Sequence, residues 1–186
     1  MKLFDMLFKR KDKSEDLLYM KDEIKHFTNV EYHKGSINKT EKEIMERVAT
    51  SFKITVSEIM NPIEKSASVK IKDSFYKLMK KFKDTTYSRL LVYDSNNQTI
   101  LGALYVKDML NNYENLKTGK IKIESILRHP LVVDDNNTAH RVYMKMKKNK
   151  IHLALVKNSK NNIIGMLTLE DILEEILGRI DDEYVH

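Results

Sequence analysis

The residue types and spacing best suited to hold a ligand stand in Thr168-Leu169-Glu170-Asp171. A threonine three residues ahead of an aspartate, where an apolar strand meets a helix, forms a capping box with Thr168 at the N-cap and Asp171 at N3. The same geometry serves a ligand. A strand-to-helix turn sets unpaired backbone N–H groups and the positive end of a helix dipole beside a cleft. There a hydroxyl and a carboxylate can grip a ribose while the dipole faces phosphates. The pattern alone leaves the cap and the ligand site equally open.

The run has an earlier copy. Gly102-Ala103-Leu104-Tyr105-Val106-Lys107-Asp108-Met109 recurs as Gly165-Met166-Leu167-Thr168-Leu169-Glu170-Asp171-Ile172, a displacement of 63 positions from 102 to 165. Apolar runs Leu90-Leu91-Val92-Tyr93 and Leu153-Ala154-Leu155-Val156 precede the two copies at the same offset. A repeat of about sixty residues is too long for a solenoid unit and too short for a roomy domain. Two such units must share a core, with clefts where they meet. The first copy keeps Asp108 but has Tyr105 where Thr168 stands, so Asp108 with Tyr105 is expected to form the weaker of two unequal sites.

The elements that position these residues follow from periodicity. Val69 and Ile71 read as a strand, Asp73 as a cap, and Phe75, Leu78, Met79 and Phe82 as one helix face. Strands are expected at 89–93 and 100–105, with a helix from Val106. The second copy repeats the order: a strand at 131–133, a helix from Thr138, hairpin strands at 152–156 and 163–167, and a helix after Thr168. The fold class is therefore α+β, with two β-α-β-β-α units forming one module. Residues 1–52 read as a helical extension, 53–117 as the first unit, and 118–186 as the second with an acidic final helix. Pro62 and Pro130 mark the entrances. Within the extension, residues 14–30 carry Leu17, Leu18, Met20, Ile24 and Phe27 near a helical period. Thr40-Glu41-Lys42-Glu43 reads as a capping box opening a second helix through Ile44 and Val48.

Composition narrows the function classes. The 186 residues are 41% hydrophobic and 32% charged and include no cysteine, which excludes disulfides, thiolate metal sites and cysteine nucleophiles. Net charge is +6, yet residues 170–186 hold seven acids against Arg179 alone. The lysines alternate with acids and apolar residues rather than forming an aromatic-studded basic stripe, so nucleic acid is not an expected partner. With five glycines, no P-loop and no G-x-S-x-G, an enzyme is not expected. The six histidines lack ligand spacing, so no histidine metal site is expected. Glu170, Glu174 and Glu175 read either as an exposed acidic face or as oxygen ligands helping to hold a nucleotide's magnesium. No apolar run approaches the ~20 residues of a membrane helix. Residues 1–13 read either as a frayed terminus or as a short amphipathic anchor with the basic cluster Lys9-Arg10-Lys11. The expected location is the cytoplasm, with that segment offering a contact to the inner membrane face.

The second copy, with its G-x-x-T-x-x-D turn, resembles the cystathionine-β-synthase (CBS) domain, normally found in tandem as an adenosyl-nucleotide-binding pair. Further segments resemble the CorC/HlyC family, whose members are associated with magnesium and cobalt efflux or are labelled hemolysins. They are Val56-Ser57-Glu58-Ile59-Met60-Asn61-Pro62, Ser88-Arg89-Leu90-Leu91-Val92-Tyr93, and the long run from Leu167 to Tyr184. Asn61, Ile63 and Leu91 depart from that family's usual threonine, arginine and proline.

The resemblance implies a cytosolic regulatory module that binds ATP, ADP or AMP and is linked to divalent-cation transport. Asp171 would hold the ribose hydroxyls and Thr168 the ribose or a phosphate. Ile59, Met60, Leu131 and Leu153 would enclose the adenine, and Asn61 would replace a threonine hydrogen bond. Two copies are expected to dimerise, with an ion-transport membrane protein as partner. The rival reading is a dimerising scaffold with a degenerate nucleotide site, held at the membrane surface.

Overall fold

The computed structural model describes residues 13–85, 87–96 and 98–178. The expected segment 1–13 lies outside these residues, Lys13 excepted, as does the acidic tail beyond Gly178. Two helices, α1 (Lys13–His33) and α2 (Lys39–Ser51), pack together across a turn at Gly35, whose φ of +76° suits a residue without Cβ. The hairpin turns Thr28 inward, fully buried and donating its hydroxyl to Glu46 at 3.2 Å, whereas Phe27 is 56% exposed. The capping box of α2 falls at Asn38 and Glu41, not at Thr40 and Glu43. The Asn38 side chain accepts the Glu41 N–H and the Glu41 carboxylate accepts the Asn38 N–H. Asparagine caps at least as well as threonine, so the helix starts at the first competent residue after the turn.

A short helix α3 (Val56–Ile59) leads to strand β1 (Asn61–Pro62). The first repeat then runs β2 (Ser68–Lys70), α4 (Phe75–Thr85), β3 (Arg89–Tyr93), β4 (Ile100–Tyr105) and α5 (Val106–Asn111), followed by a further helix α6 (Tyr113–Lys117). The second runs β5 (Leu131–Asp134), α7 (Ala139–Asn149), β6 (Leu153–Lys157), β7 (Ile163–Thr168) and α8 (Leu169–Leu177). The β-α-β-β-α order is the expected one. Thr138 caps α7 by accepting the Arg141 N–H. Asp73 does not cap α4. Its carboxylate turns back to the Lys70 N–H and to the Lys77 ammonium, and Ser74 accepts the Lys77 N–H instead.

Strand alternation builds the layers. In the sheet β2-β3-β4, Leu90 and Val92 face the helices of their own repeat, and Leu91 faces the other sheet. In the sheet β1-β7-β6-β5, Ala154 and Val156 face inward to α7 and α8, while Leu153 and Leu155 meet Leu91 and Ala103 between the sheets. Both hairpins are thus buried on two faces, which explains their near-continuous apolar runs.

The lead-in to each repeat is built into the other. Residues 54–62 belong spatially with the second repeat: Val56 donates to Asn137 O at 2.9 Å, Ala139 donates to Ile54 O at 2.8 Å, and β1 pairs with β7. Val56 is fully buried among Val133, Val142, Val156 and Ile172. Reciprocally, Arg128 and Ala103 exchange backbone bonds of 2.8 and 2.9 Å, and Ile123, Ile126 and Leu127 pack on the first repeat's core. The β1–β7 approach needs Gly165, where a Cβ would lie 2.9 Å from Asn61 O and still closer to the Met60 sulfur. At the far end of α8, Gly178 (φ +82°) leaves room for Arg47, whose Nη1 would sit 2.6 Å from an added Cβ. Helix α2 therefore docks on α8 with a guanidinium at its C-terminal end.

Two variants test this packing. Gly165→Ala is expected to cost about 1–3 kcal/mol by overpacking against the Asn61 carbonyl, read as a lowered urea midpoint with unchanged slope. Arg47→Met is expected to lose about 0.3–1 kcal/mol of helix-terminus interaction and to speed amide exchange across residues 39–51 ahead of the sheet amides. An unaltered exchange pattern would show that Arg47 does not hold the hairpin.

Candidate functional site

The site forms where α8 begins. Thr168 ends β7 in extended conformation and becomes the N-cap, and its hydroxyl accepts the Asp171 N–H at 3.1 Å. Asp171 returns the contact: its Oδ2 accepts the Thr168 N–H at 2.6 Å and the Thr168 hydroxyl at 2.8 Å. From β1, the Asn61 amide reaches the same Oδ2 at 3.5 Å. One carboxylate oxygen thus carries all three contacts, and Oδ1 receives no hydrogen bond from the described residues. The expected capping box is real, and it leaves half of the carboxylate available.

A cavity of about 320 Å³ opens beside this carboxylate, lined by Arg47, Ile59, Asn61, Asp171, Glu174 and Glu175. Of the expected apolar residues, Ile59 lines this cavity. Met60 lies beneath Gly165, and Leu131 packs half-buried on the second repeat's core. Leu153 is 1% exposed in the layer between the sheets, away from this cavity. Glu174 and Glu175 sit on the exposed face of α8, and no cluster of three or more potential metal ligands exists among the described residues.

The equivalent turn of the first repeat is arranged differently. Tyr105 is the N-cap of α5 but makes no capping hydrogen bond through its side chain. Asp108 is gripped by Arg128 through two bonds, Nε to Oδ2 at 2.6 Å and Nη2 to Oδ1 at 2.7 Å. Those bonds hold the Asp108 carboxyl below its ordinary range and raise the guanidinium. Arg128 also lies over the Tyr105 ring at 4.6 Å and Arg89 over the same ring at 5.5 Å. Burial raises the Tyr105 hydroxyl against the pull of both cations.

Arg89 ties the two turns together. Its Nη2 donates to Glu170 at 2.7 Å, across from the first repeat to the first turn of α8, while its Nε is buried without an acceptor among the described residues. Burial pushes the Glu170 carboxyl up, but the Arg89 hydrogen bond and charge, with a backbone N–H, outweigh it and leave it lowered. Sequence reasoning singled out neither Arg47 nor Arg128 and gave Arg89 no role. Arg47 carries no local signal, because its place depends on how the hairpin docks. Arg128 was findable by aligning Glu58-Ile59-Met60-Asn61 with Ser125-Ile126-Leu127-Arg128.

Comparison with known proteins agrees with this architecture. The CBS domain family model matches residues 56–115 and 123–178. The UPF0053 protein YrkA of Bacillus subtilis is 28% identical over 183 residues, covering 96% of this chain and 42% of the relative. Hemolysin C of Brachyspira hyodysenteriae is 29% identical over 150 residues, covering 81% and 54%. The chain thus spans about half or less of the length of these relatives. Among solved structures, the CBS domain of a bacterial CNNM/CorC family Mg2+ transporter matches with a TM-score of 0.78 at 28% identity, covering 87% of this chain and 98% of that one. A CBS domain of the same transporter family in complex with ATP matches at 0.68 and 30% identity, covering 75% and 99%. With both repeats matched and their turns accounted for, the chain belongs to the CBS domain family, as a tandem pair similar to those of the CorC and hemolysin C proteins.

Proposed function

We propose that this module binds an adenosine nucleotide at the start of α8 and that occupancy regulates divalent-cation transport by a membrane protein. The observation that carries the reading is the half-free carboxylate of Asp171, held by Thr168 and Asn61 at the mouth of a cavity. Its Oδ1 accepts a ribose hydroxyl, and Ile59 supplies the apolar wall for the base. The opening N–H groups of α8 and its dipole favour phosphates. Arg89, already at Glu170, is the cation from the first repeat that reaches this turn. The ATP complex of the similar CBS domain supports the ligand class.

The link to transport is supported by the similar CBS domains of CNNM/CorC family Mg2+ transporters, and the partner is the membrane protein whose conformation the pair biases. Bound ligand acts only through its different affinity for two packings of the module. Two copies pair, with Leu177, 37% exposed at the end of α8, at their seam. Light scattering should then give twice the 21.9 kDa chain mass, and a monomeric mass at tens of micromolar would remove the dimer.

Thermal unfolding tests the nucleotide. A ligand at ~100 times its dissociation constant adds about 2.7 kcal/mol, or roughly 5–11 °C for a chain of this size. ATP, ADP, AMP and cyclic di-AMP are compared with and without magnesium. Asp171→Ala is expected to weaken the active nucleotide by ~10- to 150-fold, the loss of a charge-assisted bond of about 1.5–3 kcal/mol. Unchanged affinity in that variant would overturn the role of Asp171. No shift with any of the four would leave the scaffold reading in its place.

A further inference from the structure

We propose that Arg128 shuts the first repeat's cleft, so that each chain holds one nucleotide, and that residues 128 and 105 are what separate the closed cleft from the open one. The inference rests on the nucleotide reading above and deepens it.

The two clefts are related by the repeat. In β1–β7, Asn61 pairs with Met166 and Pro62 with Gly165. In the first repeat, Arg128 pairs with Ala103, and Ala103 precedes Met166 by the same 63 positions that separate Asp108 from Asp171. The glycines agree. A Cβ on Gly165 would meet Met60 and the Asn61 carbonyl, and one on Gly102 would meet Leu127 and, at 3.0 Å, the Arg128 carbonyl. Arg128 therefore occupies the place of Asn61, and Leu127 that of Met60.

Equal backbone positions carry side chains of unequal reach. Asn61 touches one oxygen of Asp171 at 3.5 Å and leaves Oδ1 without a donor among the described residues. Arg128 covers both oxygens of Asp108 at 2.6 and 2.7 Å, the two positions a pair of ribose hydroxyls would need. A planar guanidinium matches a carboxylate in this bidentate way, whereas an amide cannot. The Tyr105 ring lies under the guanidinium at 4.6 Å and takes the place of the small Thr168 hydroxyl. A cavity of about 280 Å³ beside Tyr105 is lined by Arg89, Lys107, Arg128 and His152, and its Arg128 is the guanidinium already paired with Asp108. A ribose entering there must first break the Arg128–Asp108 pair.

Calorimetric titration with ATP counts the sites. The wild type is expected to bind one ATP per chain, and Asp171→Ala to bind it ~10- to 150-fold more weakly. Arg128→Asn with Tyr105→Thr is expected to raise the count to two. Placed in the Asp171→Ala background, the same pair should restore one site within about tenfold of wild-type affinity. Arg128→Gln alone, which keeps the backbone pairing and the tyrosine, should uncover a weaker second site and guards against misfolding of the double variant. Two ATP in the wild type, or a count of one in both Arg128 variants, would overturn the proposal and leave the Asp171 site intact. No uptake of ATP, ADP or AMP by the wild type would overturn the nucleotide reading and this inference with it.

Discussion

The backbone hydrogen bonds that sew residues 54–62 into the second repeat, with the Arg128–Ala103 exchange that answers them, hold the rest in place. Each repeat is three strands with helices on one face, too small to bury its own core. Lending its lead-in to the other closes the second core over Val56 and the first over Leu127. Neither unit can then unfold without exposing the apolar interior of its neighbour. The sheets in turn press Leu91 and Ala103 against Leu153 and Leu155. The same crossing brings Asn61 to Asp171 and Arg128 to Asp108, residues separated by 110 and 20 positions. Site and core therefore have one cause.

Repetition of the backbone does not repeat the chemistry. A carboxylate at the third position of a helix is stabilised by the N-terminal dipole in either copy. What differs is the donor set facing it: the Asn61 amide with the Thr168 hydroxyl and N–H at Asp171, and at Asp108 a guanidinium stacked on the Tyr105 ring. The first set leaves an acceptor open, and the second uses both. Such divergence is open to a duplicated fold because helix, turn and strand pairing need only the glycine and the carboxylate, leaving the facing residue to vary.

Helix α8 links the cleft to the rest of the molecule. Its first turn holds Asp171 and receives Arg89 from the first repeat through Glu170. Its last turn ends at Gly178 against Arg47 of the hairpin. This nine-residue helix therefore meets the first repeat at one end and the hairpin at the other.

Local pattern alone determined the α+β class, the duplicated β-α-β-β-α order, the Thr168–Asp171 box and the apolar face of α4, because period and spacing act over a few residues. Where two caps competed within five residues, as at Asn38 and Thr40, the pattern misplaced the start, since both satisfy the same orphan N–H groups. Which face of the hairpin is buried was also hidden, and Thr28 rather than Phe27 turned inward because Glu46 on α2 satisfies its hydroxyl. Arg128 escaped the repeat alignment because the entry segments lie 67 positions apart (61 to 128), not 63. Only the tertiary structure decided that Arg128 stands where Asn61 stands, that Arg47 lies over α8, and that Asp108 has both oxygens paired while Asp171 has one without a donor among the described residues. Those facts depend on which chain segments meet in space, and strand exchange between repeats leaves no period along the chain.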